Sequence, residues 1–240
     1  MEANYPQKQG LDFILKKAFY YWNKTLLYQL LFSLTYFSIF ILVYYFVALR
    51  YGILDELMTI VNNNAGDFKT MQLEMQKIVQ KPEYYNLSLA IIFAMTFLFP
   101  LNIGFYQIFR KIDLKEQYGL EDLFSGYNGI NFFKFSSFFL FWIFVYQYSM
   151  LLVFPAIIWV FLTLFSAPLM FFMDKRIFET ISLNVKALKL YPLEIFVCVL
   201  VAIAFRYFGI FLFLFGFLLT FPFWNAMIYA LYQKIFKEVN

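Results

Sequence analysis

The sequence predicts an all-α fold, a polytopic membrane helix bundle of about six transmembrane helices with interfacial helices beside them. Three observations lead there. Of the 240 residues, 63% are apolar and 25% aromatic, while only 14% are charged, against about 25% in an ordinary soluble domain. The apolar residues fall in blocks long enough to cross a bilayer. The basic residues flank those blocks rather than clustering on one surface, as topology signals do. This pattern gives no support to nucleic-acid binding, despite a net charge of +4. One membrane domain over residues 1–240 is the expected organisation.

The chain opens polar and becomes amphipathic towards Lys24. Leu11, Ile14, Leu15, Ala18 and Phe19 follow helical spacing, with Lys16, Lys17 and Lys24 beside them, the pattern of an interfacial helix. No cleavable leader is expected, because the first apolar block is too long and lacks a small-residue cleavage site. Span one is Leu26–Leu49, 24 residues without a charge, or about 36 Å of helix. Arg50–Tyr85 is an extramembrane helical hairpin. Leu54, Leu57 and Val61 mark one apolar stripe and Phe68, Met71 and Met75 a second. The turn Asn62–Asp67 lies between them, with Asp67 as N-cap. Its two readings are a cap on the bundle and a partner-docking face.

Span two is Leu87–Phe109, ending at Arg110 and Lys111. The polar connection Asp113–Lys134 carries Leu120, Leu123, Phe124 and Tyr127, enough for a short interfacial helix. Phe135–Met173 runs 39 residues without a charge, too long for one span and suited to two. Pro155 places the turn, giving spans 135–154 and 156–173. Asp174–Pro192 is amphipathic again, with Ile177, Phe178, Ile181, Val185 and Leu188 on one side. The final apolar stretch holds Arg206 and Gly209 and divides into spans 192–208 and 211–233. With six spans, 14 of the 19 basic residues lie on the side that holds both termini. The positive-inside rule makes that side the cytoplasm.

Histidine is absent and Cys198 is the single cysteine. The chain therefore carries no ligand set for zinc, haem or an iron–sulfur cluster, and no Ser-His-Asp or Cys-His nucleophile. No glycine-rich phosphate loop or paired catalytic carboxylates are present. We expect no cofactor, no bound metal and no catalytic residue. Arg206 is the one ionic candidate near membrane depth. It reads as a snorkelling side chain, or as a lipid or ligand contact.

Proline is the more informative residue. Pro100, Pro168 and Pro222 each fall in a span running towards the cytoplasm, and each removes a backbone hydrogen bond. Asn102 and Gly104, Ser166 and Ala167, and Thr220 and Asn225 lie close by. They are candidates for satisfying freed carbonyls or for lining a shared cavity. Phe99-Pro100 and Phe221-Pro222 are each followed by a Tyr-Gln pair and basic residues, which points to a hairpin repeat.

Two stretches carry a resemblance. One is Pro100-Leu101-Asn102-Ile103-Gly104-Phe105-Tyr106 with Asp122-Leu123-Phe124-Ser125-Gly126-Tyr127. The other runs from Ala167-Pro168-Leu169 through Asp174 and Phe178-Glu179-Thr180-Ile181-Ser182, then Gly216 to Pro222 and Tyr229. Together they resemble a loose group of uncharacterised bacterial six-span inner-membrane proteins. The group includes domain-of-unknown-function families and the membrane domain found beside glycerophosphodiester phosphodiesterases. The resemblance implies a bacterial inner-membrane location and supplies no reaction; Arg50–Tyr85 is longer than that group would have. The functional expectation is a non-enzymatic accessory or scaffold subunit. Its partners would be the lipid bilayer and other membrane proteins, as in an assembly, secretion or translocation complex. The alternative is a transporter or channel for a lipid-like or neutral solute.

Overall fold

The computed structural model describes residues 10–237; the polar opening, residues 1–9, lies outside them. The described residues are almost wholly helical, with no strand among them. Six helical stretches are long and apolar enough to cross a membrane: Leu26–Arg50, Pro82–Leu114, Ile130–Leu152, Phe154–Phe172, Pro192–Leu212 and Phe215–Phe236. The protein is a multi-pass membrane helix bundle.

The chain forms two compact units. The first contains α1 (Leu11–Lys24), the first turns of α2 (Leu26–Arg50), and everything from Phe99 onward. Its elements are α6 (Leu101–Leu114), a 3₁₀ segment Leu120–Tyr127, α7 (Ile130–Ser149), α8 (Phe154–Leu162), α9 (Ser166–Phe172), α10 (Ile177–Leu190), α11 (Pro192–Phe208), α12 (Phe213–Thr220) and α13 (Phe223–Lys237). α13 packs against α1, α6 and α11. It is buried almost all round, from Phe223 through Tyr232. The second unit, Thr35–Leu98, holds the rest of α2, α3 (Ile53–Asn63), α4 (Phe68–Val79) and α5 (Pro82–Leu98). Its core gathers Ala48, Ile53 and Leu87, with Tyr44, Val47, Leu54, Leu57, Tyr84 and Ile91 packed on them.

Boundaries differ from the sequence expectation where a charge or a proline was used as a stop. α7 starts at Ile130 rather than Phe135 because Lys134 is not a terminator. Its ammonium donates to the Met170 carbonyl (2.7 Å) and pairs with Asp174 (2.5 Å). The turn before α8 lies at Val153, and Pro155 sits in the first helical turn, where its missing N–H costs nothing. Pro82 likewise opens α5 rather than merely ending α4. The buried face of α10 is offset by one residue from the expected stripe: Thr180, Asn184 and Ala187 are buried, Ile181, Val185 and Leu188 next to them and Ile177 are half-buried, and Phe178 is on the surface. Small and polar side chains let helices approach closely and hydrogen-bond across the contact.

Candidate functional site

Each of the three prolines is buried and sits at a helix break, and each break is closed by side chains. Between α12 and α13, Pro222 has no N–H to give the Leu218 carbonyl, and the distortion also frees Leu219. Ser33 on α2 donates to the Leu218 carbonyl (2.6 Å), and Trp22 on α1 donates its indole N–H to Leu219 (2.8 Å). Between α5 and α6, Asn102 turns back onto the Phe99 carbonyl (2.9 Å). Between α8 and α9, the Phe165 N–H reaches Asn184 Oδ1 (2.9 Å), and the Thr180 hydroxyl lies 2.8 Å from that of Ser166. Thr163 occupies the same break, accepting from the Trp142 indole (2.8 Å). In hydrocarbon, non-helical backbone survives only with partners of this kind.

The Pro222 and Pro100 breaks meet. Asn225 donates to Asn102 Oδ1 (3.0 Å), so the asparagines three and two residues after Pro222 and Pro100 lock α13 to α6. Thr220 donates back to the Gly216 carbonyl and lies 3.0 Å from the Arg206 carbonyl, closing the turn from α11. The Arg206 guanidinium lies over the Phe221 ring, 4.2 Å from its centre. The rings of Phe172, on α9, and Tyr229, on α13, are 5.8 Å apart.

The 3₁₀ segment runs antiparallel to α6 and lies directly on its backbone. A Cβ at Gly104 would run into the Leu123 main chain, and one at Gly126 into the Pro100 carbonyl. Asp122, nearly buried, anchors the segment through Lys111 (2.8 Å) and the Gly119 N–H (2.9 Å). Two residues further along α6, Asp113 accepts from the phenols of Tyr21 (2.6 Å) and Tyr229 (3.1 Å), with the Lys17 ammonium 3.6 Å away. Burial, then the bond to Asp113, pushes the Tyr21 phenol far above its ordinary pKa, so it is a permanent donor. Beside Asp113, an open cleft of about 490 Å³ is lined by Tyr20, Lys24, Ile112, Asp113, Lys115, Glu116 and Tyr118.

In the second unit, the hairpin only partly follows its expected stripes. Leu54 and Leu57 pack on the core with Ile53. Met71 and Met75 are half-buried. Val61 and Phe68, in contrast, remain 47% and 73% exposed, and Met58 and Val79 join them at 67% and 65%. Ile60 and Ile78 take the inward positions, one residue from Val61 and Val79. Asn64 bonds Glu74 (2.8 Å), and Lys81 pairs with Glu56. Asp67 caps α4 by accepting from the Thr70 N–H (3.2 Å).

Neither a family model, nor a curated protein, nor a solved structure matches this chain. Ser33, which helps to close the Pro222 break, was not singled out in the sequence, nor was Asn184; Thr180 stood there only within the Phe178–Ser182 stretch, and Asp113 only as the start of the polar connection. Each lies far from its partner along the chain, so the local signal was only a polar residue within an apolar run. Among the described residues, no three His, Cys, Asp or Glu side chains come together to hold a metal ion.

Proposed function

We propose that this chain is a non-enzymatic scaffold subunit of a bacterial inner membrane, docking another membrane protein through the α3–α4 hairpin. One observation carries the reading: Met58, Val61, Phe68 and Val79 stand uncovered on two short helices outside the apolar spans. Clustered apolar surface on an extramembrane element marks a binding face. Helices of 11 and 12 residues are marginal alone, so a covering partner would also order them. The distribution of basic residues supports a topology with both termini in the cytoplasm.

The hydrogen-bonded breaks support a rigid architectural role: at the Pro222 break the Leu218 and Leu219 carbonyls each have a fixed side-chain donor. Replacing Asp55–Lys81 with a short Gly/Ser linker should leave an inserted, extractable bundle that has lost its co-purifying membrane partner. Val61→Glu with Phe68→Glu should do the same with less change. A shortened protein that keeps every partner would end this reading. The transporter reading then gains, supported by the part-buried Asn102–Asn225 pair between two broken helices. Its test is solute flux in vesicles containing the purified chain.

A further inference from the structure

The cleft beside Asp113 is not used by the scaffold reading, and its chemistry is specific. It lies where α1 hands over to α2 and where α6 ends, at the limits of two membrane-crossing stretches beginning at Leu26 and ending at Leu114. That is the depth of lipid headgroups. Its volume, about 490 Å³, falls within the roughly 300–1,000 Å³ of small-molecule sites.

The wall carries two lysines, Lys24 and Lys115, and two carboxylates, Asp113 and Glu116. An anion alone would meet both carboxylates, and a cation alone both lysines. A zwitterion suits the set. Asp113 is already engaged by Tyr21, Tyr229 and Lys17, which leaves Glu116 to face an incoming ammonium. Tyr118 supplies a ring face for the same charge. Tyr118 is held by the Tyr28 ring, 5.6 Å away between centres. The carbonyl end of α6, with its partial negative charge, points the same way. Lys24 sits over the Tyr20 ring and bonds its hydroxyl (3.2 Å), so one positive group is fixed at the rim. Lys115 ends α6 in the left-handed conformation, φ 57° and ψ 30°. Glycine or asparagine usually fills that position, and a lysine there takes a strained backbone that folds residues 115–118 around the helix end.

We propose that this cleft binds an amine-bearing phosphodiester, the phosphate between Lys24 and Lys115 and the ammonium against Glu116 and Tyr118. The source is either a phosphatidylethanolamine headgroup or the soluble glycerophosphoethanolamine. Native mass spectrometry of the detergent-purified protein separates the two, with dioleoylphosphatidylethanolamine, dioleoylphosphatidylglycerol or glycerophosphoethanolamine added in turn. The expected result is retention of the ethanolamine lipid over the glycerol lipid, weakened about tenfold or more in Lys24→Gln/Lys115→Gln and in Glu116→Gln, as loss of a charge-assisted bond requires. Lys69→Gln, in the hairpin, should bind as the unaltered chain does, and all variants should elute as the same monodisperse species. Retention of both ethanolamine compounds places recognition in the headgroup alone, and retention of the lipid only adds its acyl chains. Equal retention of the two lipids, or undiminished binding in both site variants, overturns the proposal.

Discussion

Ser33→Ala removes a single oxygen, and its cost is set by what it leaves behind. Ser33 is fully buried, and its hydroxyl is 2.6 Å from a Leu218 carbonyl that Pro222 has deprived of its helical donor. A buried acceptor left bare costs about 1–3 kcal/mol in soluble proteins. Hydrogen bonds between membrane helices average about 0.6 kcal/mol, with a maximum near 1.7. The short contact and the absence of a helical donor put this one near the top of the membrane range, about 1.5 kcal/mol. At about 2–4 °C per kcal/mol for a chain of this length, the expected fall in Tm is about 3–6 °C. Cys198 is the single cysteine and is fully buried, so a thiol-reactive dye reports unfolding of the purified protein directly. The decisive comparison is the same substitution in a Pro222→Ala background. There residue 222 regains an N–H for the Leu218 carbonyl, and losing Ser33 should cost under about 0.5 kcal/mol, a coupling of about 1 kcal/mol. If Ser33→Ala melts like the unaltered chain, or costs the same in both backgrounds, the carbonyl-rescue account of the break is wrong.

Gly104→Ala should lift the 3₁₀ segment off α6, costing about 1–3 kcal/mol as overpacking does, and a cysteine placed at the half-buried Ser125 should then label faster. The Asp174 carboxyl is held below its ordinary value of 3.8, first by the hydrogen bond from Lys134 and then by its charge. The stabilisation is therefore complete above that value and disappears as pH falls through the lowered one. Asp174→Asn should melt earlier than the unaltered chain near about pH 6, and the gap should narrow as pH falls below 3.8. In Cys198→Ala, an impermeant thiol reagent outside intact cells should reach a cysteine at Asn63 and miss one at the exposed Gln117. The reverse pattern would invert the charge-based topology. Asp67→Ala should speed amide exchange at Thr70, whose N–H it binds, leaving α5 unchanged.

Residues that act through composition were legible, and residues that act through distant partners were not. Charge-free runs such as Leu26–Leu49 announce a spanning helix, because hydrocarbon tolerates little else. Proline announces a break because its chemistry is local: Pro100, Pro168 and Pro222 all stand at one. What closes each break is decided across the chain. Asn102 and Asn225 flank their own prolines, so proximity marked them out. Ser33 and Trp22 carry no such mark, because a serine or tryptophan in an apolar run is common. The one-residue offset of α10 has a similar origin. Apolar periodicity marks Ile181, Val185 and Leu188, whereas the closest packing falls to the small and polar residues just before them, Thr180, Asn184 and Ala187. Asp113 was passed over because span two was ended at Phe109. Its carboxylate stays one turn further along, held by two phenols and a lysine.

The two bonds that close the Pro222 break join residues 185 and 197 positions apart. During synthesis, Ser33 and Trp22 are made early, while their acceptors do not yet exist. At about 5–20 residues per second, the interval before residue 218 emerges is about 10–40 s. Throughout it, α1 and the start of α2 must wait in or beside the bilayer with a hydroxyl and an indole N–H committed to nothing. These two contacts can close only once the last span exists. A ribosome halted before Leu218 thus leaves α1 and the start of α2 without the two acceptors that latch them.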